Sequence, residues 1–322
     1  MRQIISIGSI CKDIFFPTSE GKIEETPEDI MAQKKITFEL GAKYKIEERY
    51  EALGGCAANV AAGLARLGIE ASCYSHIGSD EISSWMKKEL EKNGVGAELV
   101  SQEPDCRSDM SAIIVDKESG ERIIFTNQKA NGKLEIIPEN IQKTEWIFIG
   151  DLHGDWEKDL DVIFAAAQEN GIKVAFNPRQ SNIHDNVQKI VEMISKTQIL
   201  FLNKDESIEI VSSLGENLAD SQINSEEFLA EKLKSLGAEI VSITDGKRGA
   251  WATDGENKIF IPGMEVGAVD STGAGDSFSS GFLAAHIKGK SLEEATKWGI
   301  SNSSSVVQFY GAIEGLLDEN KI

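Results

Sequence analysis

The chain has 322 residues, 41% of them hydrophobic and 27% charged, enough to bury a large core in one α/β domain or two smaller ones. Against 33 basic residues stand 53 acidic ones, a formal net charge of -20 that repels nucleic-acid phosphates and anionic lipid and counts against both as partners. Cys11, Cys56, Cys73 and Cys106 are scattered, with no CxxC pair and no zinc-like histidine spacing, so neither a disulfide framework nor a metal cluster is expected. The opening MRQIISIGSI lacks a long apolar run and a cleavage site, and no stretch approaches the roughly 18 apolar residues of a membrane span. A soluble, unprocessed cytoplasmic protein is expected.

In chain order, IISIG (4–8) reads as a strand that is apolar on both faces. The acidic stretch SEGKIEETPEDIMAQ (19–33) is expected to be an exposed insertion without recognisable chemistry. KKITFELGAKYKIEERYEALG (34–54) alternates polar and apolar, which predicts a hairpin with Ile36, Phe38 and Leu40 on one side of its first arm. LGGCAANVAAGLARLG (53–68) sets Gly54 and Gly55 before an Ala-rich helix. SCYSHIG (72–78) predicts a strand and EISSWMKKELEK (81–92) a helix. A second hairpin is predicted over SAIIVDKESGERIIFTNQ (111–128), turning at Glu118-Ser119-Gly120.

WIFIG (146–150), IKVAF (172–176), ILFLN (199–203) and EIVSIT (239–244) continue the buried strands. WEKDLDVIFAAAQEN (156–170) and SEEFLAEKLKSLG (225–237) are helical by spacing, the latter closed by Gly237. Two short arms, 250–253 and 258–261, precede DSTGAGDSF (270–278), which runs into a helix with Phe278, Phe282 and Ala285 on one face. The alternation predicts an α/β fold, a three-layer αβα sandwich around a mostly parallel sheet. Residues 1–12, 54–107 and 131–322 are assigned to that large domain. The insertions 13–53 and 108–130 are assigned to a small β-sheet lid, with ordinary edge strands as the alternative.

A helix N-terminus exposes unpaired N–H groups and a positive dipole end, and the glycines at 273 and 275 let a phosphate approach them. A carboxylate there repels bound phosphate, so Asp276 is explained either as a helix cap or as a base that removes a proton beside an anion site. The second explanation points to phosphate transfer onto an alcohol. No GxxxxGK[ST] occurs and no GxGxxG follows a strand, so neither a P-loop kinase nor a dinucleotide-dependent dehydrogenase is supported.

The segment Asp270-Ser271-Thr272-Gly273-Ala274-Gly275-Asp276 resembles the D-T-x-G-A-G-D signature of the ribokinase-like, or PfkB-type, carbohydrate kinases, with Ser271 where Thr is common. Further elements, in the same order along nearly the whole chain, are similar to that family. The resemblance implies that Asp13, Gly54, Gly55 and Asn59 hold an acceptor's hydroxyls. It implies that Asn203 and Glu206 organise Mg²⁺ and phosphate, Glu206 through water, since Mg²⁺ keeps several waters. Thr244, Gly246 and Gly249, in TDGKRG, are implied in nucleotide binding, as is Asn302 near the adenine. Asp270 is implied as a candidate site for a monovalent cation such as K⁺. On this reading ATP donates, Asp276 deprotonates the acceptor, and the backbone N–H groups of Gly273, Ala274 and Gly275 stabilise the transferring group.

Cys56 stands where ribokinases usually carry Lys, and only Arg107, Arg122 and Lys129 lie near the expected lid to bind an acceptor phosphate. An unphosphorylated sugar is therefore the expected acceptor. A nucleoside is the alternative, with Phe15, Phe16, Phe38 and Tyr44 available for stacking. A catalytically inactive sugar-sensing relative is the alternative of another class, although such a protein is expected to lose its base and Asp276 is present. Two lids are expected to pair in a homodimer, with Tyr44, Ile46, Ile113 and Ile124 as candidates for the buried face.

Overall fold

A segment such as Ile4 to Ile7, apolar on both faces, is satisfied only between two layers of helices. The computed structural model, which describes residues 2–26, 34–215 and 218–322, places it there. The strands are β1 (Arg2–Ile7), β2 (Cys11–Thr18), β3 (Lys22–Glu25), β4 (Lys34–Thr37), β5 (Tyr50–Gly54), β6 (Ala71–Ile77), β7 (Gly96–Gln102) and β8 (Met110–Asp116). There follow β9 (Arg122–Thr126), β10 (Thr144–Ile149), β11 (Lys173–Phe176), β12 (Ile199–Asn203), β13 (Ile240–Thr244), β14 (Ala250–Thr253) and β15 (Lys258–Ile261). The helices are α1 (Cys56–Arg66), α2 (Glu81–Lys92), α3 (Pro138–Ile141), α4 (Trp156–Asn170) and α5 (Gln180–Ile194). The remainder are α6 (Lys204–Ser213), α7 (Asp220–Ile223), α8 (Glu226–Ser235), α9 (Ala274–Ile287) and α10 (Leu292–Val306).

The large sheet has the order β15-β14-β13-β12-β11-β10-β1-β6-β7, parallel except for β14 and β15. Alternate residues feed two cores. Ile4, Cys73, Phe148 and Phe201 pack with α1, α2, α9 and α10, while Ile5, Ile7, Ile149, Phe176 and Leu202 pack with α4, α5, α6 and α8. The expected αβα sandwich is thus present. Strand order reverses between β1 and β10, and the carboxyl ends of strands beside such a reversal form the crevice where open α/β sheets bind ligands.

Small residues set the spacing of the helices nearest that crevice. A Cβ on Gly63 of α1 would run into Ser280 Oγ of α9, so the two helices approach as closely as glycine allows. Asn302, fully buried in α10, donates from Nδ2 to Ser277 O (2.8 Å) and accepts at Oδ1 from Leu317 N (3.0 Å), tying α9, α10 and the C-terminal segment together.

A separate mixed sheet has the order β5-β2-β8-β9. The predicted 34–54 hairpin is not formed. Its first arm, β4, pairs with β3 as a two-stranded ribbon, residues 38–49 contain no strand, and β5 pairs instead with β2. The alternation misled because Phe38 and Leu40 are exposed and pack under no core. Of the acidic segment 19–33, residues 27–33 lie outside the described residues, and 22–25 form the exposed β3. The second hairpin is formed by β8 and β9. Asp109 and Asn131, both buried, latch its two ends to the β1–β2 turn. Asn131 Nδ2 donates to Asp109 Oδ2 (2.8 Å) and to Ile10 O (2.9 Å).

Candidate active site

Helix α9 begins at Gly273, whose φ of 74° is in the left-handed region, and it has no side-chain cap. The first-turn N–H groups of a helix lack intrahelical partners, and of those in α9 the N–H of Ala274 donates to Ser271 O at 3.3 Å. Asp276 sits in that turn. Its Oδ2 accepts from Asn59 Nδ2 of α1 at 2.8 Å, and Asn59 Oδ1 has no partner. Burial pushes the Asp276 carboxyl up to about 6, the charges of Asp151 and Asp13 add to this, and hydrogen bonds from Asn59 and Cys56 oppose it. The group lines the cavity in front of it.

That cavity, about 400 Å³, is lined by Ser9, Asp13, Gly55, Cys56, Asn59, Asp151, Arg179, Gly273 and Asp276, and on its far wall by Ile113 and Ile124 of the small sheet. Asp13, on β2, is buried, and burial raises its pKa against hydrogen bonds from Cys11 and Ser111. A Cβ on Gly54, on the neighbouring strand β5, would collide with that carboxylate. Gly55, at φ 92°, starts α1.

Three contributors were absent from the sequence prediction. Ser9, Asp151 and Arg179 follow β1, β10 and β11, so the strand reversal gathers them. Asp151 accepts from Ser9 Oγ (2.6 Å) and pairs with Arg179 Nε (3.1 Å) and His153 Nε2 (3.3 Å). Burial alone would raise its pKa, but His153, Ser9 and Arg179 together hold it below the usual carboxylate range. Arg179 Nη2 donates to Gln128 Oε1 (2.9 Å) beside the small sheet. The available signal was a polar residue directly after a buried strand, in WIFIGD and in KVAFNPR.

A second cavity, about 170 Å³, lies across the α9 turn and is lined by Asn203, Glu206, Thr244, Gly275 and Phe278. Asn203 caps α6, accepting from Glu206 N (2.9 Å), while Glu206 Oε2 accepts from Asn203 N (2.9 Å). Burial pushes the Glu206 carboxyl up to about 7 against that backbone bond. Gly246 and Gly249 shape the turn between β13 and β14 and line neither cavity, nor does the fully buried Asn302. Asp270 is buried as well, and accepts from Thr272 N (3.0 Å), Thr272 Oγ1 (2.7 Å) and Gly311 N (3.1 Å). Arg107, Lys129, Phe15, Phe16, Phe38 and Tyr44 line neither cavity; Phe15 packs on Tyr310 and Phe38 on Tyr44. A larger groove, about 830 Å³, runs past Tyr74, His76 and Asp159 and contains none of the predicted site residues. Among the described residues no helix is long and apolar enough to cross a membrane.

Comparison with known proteins gives the family and the fold. Residues 26–319 match the family model described as pfkB family carbohydrate kinase. A ribokinase of Haemophilus influenzae is 31% identical over 84% of this chain and 85% of its own. A nucleoside kinase of Methanocaldococcus jannaschii is 28% identical over 100% of this chain and 96% of its own. The crystal structure of that nucleoside kinase, an archaeal member of the ribokinase family, superposes with a TM-score of 0.76 over 99% of this chain and 96% of that one. With two cavities meeting at a glycine-rich helix N-terminus, and with this family model spanning most of its length, the chain belongs to the pfkB family of carbohydrate kinases and is a phosphotransferase of ribokinase fold.

Proposed function

We propose that the protein transfers the γ-phosphoryl group of ATP to a hydroxyl of a small unphosphorylated sugar, as a ribokinase or fructokinase does. One observation carries this reading: the first turn of α9 separates a cavity rich in carboxylates and amides from a second one beside Asn203, Glu206 and Thr244. The acceptor lies in the first and ATP in the second, with the transferring group at the N–H groups of Gly273, Ala274 and Gly275. Asp276 takes the hydroxyl proton. A base with a pKa near 6 is ionised at neutral pH and still basic enough to assist transfer. Asp13 and the open Oδ1 of Asn59 accept hydrogen bonds from the sugar's other hydroxyls.

Asp13, Asp151 and Asp276 surround this cavity with negative charge, and Arg179, the one arginine among its described lining residues, is already paired with Asp151. That arrangement disfavours a phosphorylated acceptor. The absence of aromatic side chains among the cavity's described lining residues favours a sugar over a stacked nucleobase. The donor set at Glu206 fits a hydrated Mg²⁺, because one carboxylate oxygen is used by the cap and a single oxygen suffices to hold a metal-bound water. When bound there, Mg²⁺ neutralises charge on the phosphates. The small sheet acts as a lid that excludes water from the transfer.

The lid's outer face carries Ile14, Phe16, Ala112, Ile114, Ile123 and Phe125, with Phe125 64% exposed. Ile113 and Ile124 instead face the cavity, and Tyr44 and Ile46 lie outside the sheet. A second copy of the same face, related by a two-fold axis, covers these side chains and gives a homodimer.

Three outcomes are expected. Asp276→Asn lowers kcat by ~10²–10⁴-fold while ATP still binds, and near wild-type turnover would remove Asp276 as the base. Asp13→Ala raises KM for the acceptor by roughly ten- to a hundredfold and leaves that for ATP almost unchanged, whereas a collapse of ATP affinity would reverse the two sites. In sedimentation equilibrium at micromolar concentration the wild type is a dimer and the double variant Ile114→Asp, Phe125→Asp a monomer; a monomeric wild type contradicts the interface.

A further inference from the structure

Building on the kinase reading, we propose that Arg122 of the small sheet is the built-in counter-ion of Asp270 and positions the anion-site loop, so that the enzyme works without a monovalent cation. A carboxylate taken out of water needs donors on its lone pairs and an opposite charge nearby. Asp270 is 1% exposed and offers about four lone-pair sites. Oδ1 accepts from Thr272 N and Thr272 Oγ1, and Oδ2 accepts from Gly311 N. Arg122 Nε, buried and without a hydrogen-bond partner, lies 4.0 Å from Asp270 Oδ1. Among the described residues it is the cation that the structure pairs with Asp270.

These contacts leave a monovalent cation without a place. Donors already occupy both oxygens, and an ion on the remaining lone pair, that of Oδ2, would share the carboxylate with a like charge, the guanidinium 4.0 Å from Oδ1. The protein supplies from β9 the charge that the sequence resemblance would assign to a bound ion.

The same arginine links the small sheet to the anion site. Its Nη1 donates to Ser271 Oγ, and Ser271 and Thr272 directly precede Gly273. Nearby, the β8–β9 turn rests on the same loop, since a Cβ on Gly120 would lie 3.3 Å from Val269 O. Arg122 touches neither cavity's catalytic carboxylate, so it acts by fixing the loop that carries the N–H groups of Gly273 and Gly275. It is a positioning residue.

The test measures turnover and melting temperature in a Mg²⁺ buffer whose monovalent cation is tetramethylammonium, with and without KCl. Wild-type kcat is expected to change less than about twofold, and its Tm by less than about 1 °C beyond the effect of an equal concentration of tetramethylammonium chloride. Arg122→Gln is expected to lose at least about tenfold in kcat with little change in either KM, because the loop, and not ground-state binding, is disturbed. Arg122→Lys keeps the charge and is expected to recover most of the rate, and added guanidinium to recover part of it in Arg122→Gln. A wild-type enzyme activated tenfold or stabilised by several degrees by potassium overturns the inference, and so does wild-type kcat in Arg122→Gln. The wild-type measurements decide the matter if Arg122→Gln fails to fold. A potassium-dependent enzyme leaves the kinase reading standing; a protein inactive in both buffers overturns that reading, and the melting data then decide the ion pair by themselves.

Discussion

The hydrogen bond from Asn59 Nδ2 to Asp276 Oδ2, 2.8 Å long, joins the first turns of α1 and α9, and the rest of the site is arranged around it. In the reaction we propose, Asp276 has to lie at a helix N-terminus that also attracts phosphate, and it has to keep a proton affinity high enough to act as a base. Burial supplies the second property and costs stability. Its folded pKa lies above the unfolded value, so the folded state binds the proton more tightly. The stability present in acid is lost as pH rises through the interval from 3.8 to about 6. Asp151, which lines the same cavity, is treated in the opposite way, with His153, Ser9 and Arg179 holding it ionised. Two neighbouring carboxylates thereby receive different tasks from their surroundings.

The scaffold makes this pairing rigid. Gly63 lets α1 press against α9, and Asn302 holds α10 and the C-terminal segment to the other side of α9. Asn59 and Asp276 are therefore presented by packed helices, while Asp13 is presented by the small sheet and Asp151 by the large one. A crevice whose walls come from separate sheets can change width without disturbing the base. The latch of Asp109 and Asn131 at Ile10 ties the small sheet to the large domain at the β1–β2 turn.

Much of this was legible in the residues. Parallel strands buried on both faces have an unbroken apolar run, and the helices at 81–92 and 156–170 coincide with α2 and α4. The DSTGAGD segment pointed to the proposed anion site because glycines before a helix and a carboxylate within it fit a transferring charge as well as a helix cap. What stayed hidden depends on distance in the chain. Ser9, Asp151 and Arg179 become neighbours only through the order of the strands. Strand β2 was concealed by Pro17, which argues against a strand interior but sits next to the strand's end. Asn302 is part of a family-like pattern, yet its amide is used up inside the core. The 34–54 alternation imitates a half-buried hairpin on a segment that has no core to cover.

The central claim is that Asp276 is the base and that burial sets its proton affinity. Its most direct test is the pH dependence of kcat/KM for the acceptor at saturating ATP and Mg²⁺. The account predicts a plateau at neutral pH and a fall of about tenfold per unit below a pKa near 6, a limb that disappears from the residual activity of Asp276→Asn. A profile that stays flat down to pH 5, or an acidic limb that persists in Asp276→Asn, would contradict it.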